Sequence, residues 1–222
     1  MPNFQTVLFD LDGTILDTNE LIIQSFLHAL QDIVPPDFTR EHIIPSMGLP
    51  LAVQLQQFSG AEDVEELIRA YRTVNLQLHD DLVQAFPYVN DVLERLHAAG
   101  LKLGVVTTKM QMTTERGLKH VGIRDYMSAI VTLDDVERPK PDAEPVELAL
   151  QRLGALPETA LMVGDSIVDI QSAAAAGVRS VGVAWSLKGE AVLREAGADY
   201  IIHDMRELLT LAGLEREPLE KR

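Results

Sequence analysis

The stretch Val7-Leu-Phe-Asp-Leu-Asp-Gly-Thr-Ile-Leu-Asp-Thr-Asn-Glu20 begins as the apolar run of a buried strand and then sets carboxylates where more core residues are expected. If the strand continues, side chains alternate between faces, so Asp10 and Asp12 point the same way about 7 Å apart. Like charges repel, and burying them unpaired costs several kcal/mol. A bound cation is the natural counter-charge, and everything downstream of this run bears on it.

Beyond position 87 the pattern becomes regular. Val89 to Ala99 reads as a helix ended by Gly100, then Leu101 to Val106 as a strand. Met112 to Val121 is helical up to Gly122, Ala129 to Thr132 a short strand, Glu144 to Leu153 helical up to Gly154, and Ala160 to Val163 a strand. Ile167 to Ala176 is helical up to Gly177, Arg179 to Val183 is a strand, and the weaker pair Tyr200 to Ile202 and Met205 to Leu211 closes the series. Strand and helix alternate with glycine at helix ends, which predicts an α/β fold with a doubly wound parallel sheet.

The segment from Asp17 to Leu82 differs. It reads as helices at Glu20 to Gln31, Glu41 to Ser46, Leu51 to Phe58 and Val64 to Leu78, broken by Pro35-Pro36, Gly48-Leu-Pro50 and Ser59-Gly60, with no convincing strand. The expected organisation is a core of residues 1–16 and 83–222, with a helical cap, 17–82, inserted after the first strand. The cap carries eleven acids against Arg40, Arg69 and Arg72, a charge bias read as a solvated surface. Glu215 to Arg222 reads as a polar frayed tail.

Composition narrows the chemistry. The chain has 222 residues, enough for a real core, and a net charge of −15, which argues against nucleic acid and anionic membranes as partners. A small anion remains admissible where a divalent ion and a few lysines reverse the sign locally. Without cysteine, oxygen and imidazole are the available metal ligands, and the histidines show no metal-binding spacing. No basic leader or apolar run of roughly 18 residues is present, so a soluble cytoplasmic protein is expected.

Ligands of parallel α/β sheets bind beyond the C-terminal ends of the strands. Four such ends carry polar residues: Asp10-Leu-Asp-Gly-Thr14, Thr107-Thr-Lys109, Arg138-Pro-Lys-Pro141, and Gly164-Asp-Ser166 with Asp169. Singly these read as turns, loops and a helix N-cap with a capping box. Together they suit phosphoryl transfer. Asp10 is placed to attack phosphorus and Asp12 to protonate the leaving oxygen and later deprotonate water. Mg²⁺ would be met by Asp10, the Asp12 carbonyl and Asp165. Thr107, backbone N–H groups and Lys140 would hold the equatorial oxygens. Gly13, Thr14, Thr108, Lys109 and the cap-loop Gly48 are the candidate substrate contacts. Trp185, Met110 and Met112 read as packing residues.

The order of these four motifs resembles the haloacid dehalogenase-like phosphatase superfamily with a helical cap. The resemblance implies a Rossmann-like core, Asp10 as nucleophile, Asp12 as general acid and base, Thr107 and Lys140 as phosphate stabilisers, Asp165 as metal ligand and Asp169 as an outer metal residue. The dehalogenase branch lacks the second aspartate that Asp12 supplies. Asp17 to His28, Thr107 to Met110, Val131 to Val136 and Gly182 to Gly189 look more narrowly like the bacterial inorganic pyrophosphatases of this fold, implying Mg²⁺-dependent hydrolysis of pyrophosphate. Phosphoglycolate phosphatases share the catalytic motifs and are the alternative. Capped phosphosugar mutases carry basic residues in the loop that here reads Ser46-Met-Gly-Leu-Pro-Leu51, which weighs against a mutase. The same shortage leaves the second phosphate of pyrophosphate to Lys109, Lys188 and the metal. A response-regulator receiver is shorter and has no such insert, and a non-catalytic binding protein on this fold is expected to lack Asp10 or Asp12.

Overall fold

The computed structural model describes residues 4–214, so the expected frayed tail lies outside the described residues. In chain order the first half runs β1 (Thr6–Phe9), β2 (Leu16–Asp17), α1 (Asn19–Leu30), α2 (Arg40–Ile43), α3 (Leu51–Ser59), α4 (Glu65–Leu82), β3 (Gln84–Ala85) and α5 (Val89–Ala98). The second half runs β4 (Lys102–Val106), α6 (Gln111–His120), β5 (Ala129–Val131), α7 (Glu144–Leu153), β6 (Ala160–Gly164), α8 (Ile167–Ala175), β7 (Arg179–Val183), α9 (Glu190–Glu195), β8 (Tyr200–Ile202) and α10 (Glu207–Leu211).

Six strands form a sheet in the order β5-β4-β1-β6-β7-β8, and every neighbouring pair is parallel. The alternation along β1 sorts the core onto two faces. Val7 and Phe9 join Leu103, Val105, Leu161 and Val163 beneath α5 and α10, while Leu8 joins Val106, Met162 and the α7 residues Val146, Ala149 and Leu150 on the other face. Being covered on both sides, β1, β4 and β6 carry no polar side chain after their first residue, as buried parallel strands do.

Chain direction across the sheet reverses at β1, whose neighbours are β4 and β6. The crevice at such a reversal lies outside the strand C-termini. Asp10 N donates to Val163 O at 2.8 Å and Thr107 N to Val131 O at 3.0 Å, so the pairing carries past the strands and delivers both residues to that crevice.

The helical segment leaves and returns at one place. β2 pairs antiparallel with β3, Leu16 opposite Ala85 and Asp17 opposite Gln84, a short ribbon that the sequence reading did not anticipate. Entry and exit side by side let the insert sit beside the sheet without disturbing its register. The insert has its own apolar centre, with Ile23, Phe26, Leu30, Ile43, Leu55 and Ile68 packed together. Phe26 meets Tyr71 and Phe58 edge to face at centroid distances of 4.8 and 5.5 Å. No helix among the described residues is long and apolar enough to cross a membrane.

One close approach fixes the start of α8 against β6. A Cβ on Gly164 would lie 2.3 Å from Asp169 Cβ, so only glycine lets the first turn of α8 tuck under the strand end. Gly164→Ala is expected to lower unfolding free energy by about 1–3 kcal/mol, the usual penalty for overpacking. Urea denaturation checks this, and an unchanged midpoint contradicts it.

Candidate active site

The C-terminal ends of β1, β4 and β6 open into a cavity of ≈ 250 Å³ that the helical insert covers. Its floor comes from the core, including Asp10, Asp12, Thr107, Thr108, Lys109, Asp165 and Lys188; its roof comes from the loop around Gly48 and from α4. The two halves touch. Thr108 Oγ1 donates to Gly48 O at 3.0 Å, and a Cβ on Gly48 would lie 3.0 Å from Ser166 Oγ.

Lys140 organises the floor. Its Nζ donates to Asp10 Oδ1 at 2.7 Å, Asp169 Oδ1 at 2.6 Å and Val106 O at 2.9 Å, and its side chain is 1% exposed. An ammonium has three donors, and all are engaged. With these contacts made inside the protein, Lys140 orients Asp10 and adds positive charge beneath it. Burial pulls the Lys140 ammonium down, but Asp10 and Asp169 outweigh it and hold its pKa above the ordinary lysine value.

Asp169 faces inward on two sides. Beyond Lys140 it accepts from the Ser166 backbone N at 3.0 Å and from the Ser166 hydroxyl, so the capping box at the start of α8 also builds the site. Asp165 Oδ2 accepts from Lys188 Nζ at 2.9 Å. Asp12 lies apart, held by Lys109 at 3.0 and 3.1 Å, with its side chain 21% exposed to the cavity. Thr107 Oγ1 accepts from Lys109 N at 3.2 Å, leaving its own O–H free to donate.

Several expected contacts fall elsewhere. Gly13 and Thr14 are not among the cavity's walls. Gly13, at φ +84, backs Asp165, where a Cβ would lie 2.8 Å from Oδ2; Thr14 is buried and its hydroxyl has no partner among the described residues. Met110 and Met112, read as packing residues, line the cavity, and Met112 is 63% exposed. Trp185 packs on Phe86 at 5.9 Å in a separate cavity. Sequence reading treated Lys188 only as a possible substrate cation and passed over Tyr71 and Asn75. Lys188 follows the end of β7, a fifth polar strand end that could have been searched like the other four.

A family model for haloacid dehalogenase-like hydrolases matches residues 7–183. The chain belongs to this family. Pyrophosphatase PpaX from Bacillus velezensis is 47% identical over 210 residues, 94% of this chain and 96% of that protein. Pyrophosphatase PpaX from Anoxybacillus flavithermus is 43% identical over 212 residues, 96% of this chain and 98% of that protein. Among solved structures, a hydrolase from Pseudomonas syringae superposes with a TM-score of 0.84 at 26% identity, covering 95% of this chain and 98% of its own. A predicted phosphoglycolate phosphatase from Haemophilus somnus superposes with a TM-score of 0.83 at 26% identity, covering 95% and 99%.

In this haloacid dehalogenase-like site the charges do not balance. With all four carboxyls ionised, Asp10, Asp12, Asp165 and Asp169 meet only Lys109, Lys140 and Lys188, one positive charge short. Burial pushes the Asp10 carboxyl up to about 8, with Asp169 and Asp165 adding to the rise and Lys140 opposing it. Burial likewise raises Asp165, against Lys188. Ligand oxygens of Asp10, Asp165 and Asp169 lie within 4.8 Å of one another, a set that could hold a metal ion. Asp12 stands outside that cluster. Asp10 Oδ2 and Asp165 Oδ1 take no hydrogen bond from the described residues, whereas both Asp169 oxygens are engaged. Hard oxygen donors with excess negative charge fit a divalent cation, which Asp10 and Asp165 would hold directly and Asp169 would support.

Raised carboxyls make that binding dependent on pH. With a folded pKa of about 8 against an ordinary 3.8, Asp10 favours the metal-free fold at low pH, and this contribution is lost as pH rises through 8. Metal binding displaces the same proton. Mg²⁺ at ~100 times its Kd is expected to add about 2.7 kcal/mol, or roughly 5–10 °C in Tm, at pH 8.5, and less at pH 6. Calorimetry with and without EDTA checks this; a Tm indifferent to Mg²⁺ at pH 8.5 contradicts the assignment.

Proposed function

We propose that this hydrolase is a Mg²⁺-dependent inorganic pyrophosphatase of the cytoplasm, cleaving pyrophosphate to two phosphates through an aspartyl phosphate. In this reading residues 1–16 and 83–222 form the catalytic core and 17–82 the cap that encloses the substrate. The observation that carries the chemistry is the Asp10 carboxylate, fixed through Oδ1 by Lys140 and free at Oδ2 in a covered cavity. The substrate rests on the near full-length similarity to the two PpaX pyrophosphatases.

Asp10 Oδ2 attacks the nearer phosphorus, forming a P–O bond to the carboxyl while the bond to the bridging oxygen breaks. Asp12 gives that oxygen its proton, so the second phosphate leaves as a stable anion. Asp12, now ionised and steadied by Lys109, then takes a proton from a water that attacks phosphorus and frees Asp10. The Thr107 hydroxyl donates to an equatorial oxygen, and Lys140 supplies charge beneath. A bound Mg²⁺ would neutralise charge on the transferring group. The covering insert keeps bulk water from the ester until the leaving group has gone.

Asp10→Asn is expected to abolish phosphate release with the fold retained, because an amide is not a competent nucleophile here. Activity above a few per cent of wild type contradicts the mechanism. Phosphate release from pyrophosphate, phosphoglycolate and hexose phosphates, under matched conditions, tests the substrate. The highest kcat/KM is expected for pyrophosphate; a higher value for phosphoglycolate overturns that assignment.

A further inference from the structure

Hydrolysis of pyrophosphate needs a cation for the departing phosphate as well as for the one attacked, and the core lysines are already engaged. Lys109 is held by Asp12, Lys140 by Asp10 and Asp169, and Lys188 by Asp165. Among the described cavity-lining residues, Arg72 is the cation with no carboxylate partner.

Its position follows from helix periodicity. Ile68, Tyr71, Arg72, Asn75 and Leu76 share one face of α4, and all of them line the cavity. Ile68 and Leu76 are apolar, and Asn75 donates to Ser25 Oγ at 3.3 Å. That leaves the Arg72 guanidinium and the Tyr71 hydroxyl as the available polar groups of this wall. Arg72 donates through Nη2 to the thioether of Met110, a weak acceptor that an anion readily displaces. The other arginines of the insert have carboxylates near them: Arg40 meets Glu20 at 3.3 Å and Arg69 meets Glu66 at 3.8 Å. In a chain of net charge −15, an arginine left facing sulfur at the rim of a phosphate cavity stands out. The Tyr71 hydroxyl makes no hydrogen bond to the described residues, and its ring is fixed against Phe26 at 4.8 Å.

We infer that Arg72, assisted by the Tyr71 hydroxyl, binds the anionic leaving half of the substrate and makes this site selective for phosphoesters or anhydrides whose departing group carries a charge. The assignment rests on the phosphohydrolase reading above and deepens it, since it places the second phosphate of pyrophosphate at the roof. A planar guanidinium can meet two phosphate oxygens at once, and a phenol adds a third donor. Binding there aligns the bridging oxygen with Asp12. The loop Ser46 to Leu51 then has no need of a basic residue, because the cation comes from the adjacent helix.

The test compares kcat/KM for pyrophosphate with that for phenyl phosphate, whose organic group is uncharged, in wild type, Arg72→Met, Arg72→Lys, Tyr71→Phe and the control Arg69→Met. Removing charge-assisted hydrogen bonds is expected to lower the pyrophosphate-to-phenyl phosphate ratio roughly 10- to 100-fold in Arg72→Met. Arg72→Lys should recover part of it, Tyr71→Phe should lose less than Arg72→Met, and Arg69→Met should keep the wild-type ratio. A ratio for Arg72→Met within twofold of wild type overturns the inference, as does an equal loss in Arg69→Met. If wild type cleaves phosphoglycolate but not pyrophosphate, the substrate assignment falls by itself. The Arg72 claim is then decided by the phosphoglycolate-to-phenyl phosphate ratio, with the same outcomes.

Discussion

The ammonium of Lys140 is the point on which the site depends. One buried group joins the end of β1 through Asp10, the end of β4 through Val106 O, and the first turn of α8 through Asp169. Three separate stretches of chain must therefore converge on a single atom, with the fourth stretch, 138–141, supplying it. Such a cluster is not there for stability: desolvating the charges consumes most of what their attraction returns, and breaking one partner leaves an uncompensated charge. Its effect is orientation. With Oδ1 fixed, the other oxygen of Asp10 has one direction in which to face, and that direction is the cavity.

Two glycines make this convergence possible, for different physical reasons. Gly164 has no side chain because Asp169 occupies the space a Cβ would fill. Gly13 combines a left-handed φ of +84 with close contact to Asp165, so the turn after Asp12 can fold back under that second buried carboxylate. The sheet supplies the rest. Because β1 stands between β4 and β6, the polar residues that follow these strands meet without any long excursion of the chain. The insert then closes the top.

Much of this arrangement was legible in the sequence. Runs of β-branched and aliphatic residues marked β4, β6 and β7, glycines marked the ends of the helices between them, and α7 spans the residues its pattern gave, Glu144–Leu153. The acidic motif after β1 stood out because carboxylates interrupt a core pattern. What escaped notice lacked such contrast. The ribbon of β2 and β3 is two residues a side and pairs across the whole insert, so no local window contains it. Helix α9 has six residues, too few for a periodicity to emerge. Engagement of all three Lys140 donors could not be read from a Lys-Pro loop, since its partners lie 29, 34 and 130 residues away in the chain. Tyr71 and Arg72 look like any solvated helix face until α4 is placed above the cavity. Cap chemistry is thus set by tertiary placement, whereas core chemistry is written in strand ends.

The central claim is that Asp10 becomes phosphorylated, and trapping that ester addresses it most directly. Enzyme turning over saturating pyrophosphate with Mg²⁺ is quenched in acid within milliseconds, reduced with tritiated borohydride and mapped by peptide sequencing. The account predicts tritium at residue 10 and nowhere else, dependent on substrate. No label above the substrate-free control, or label at Asp12 or Asp165 instead, contradicts it.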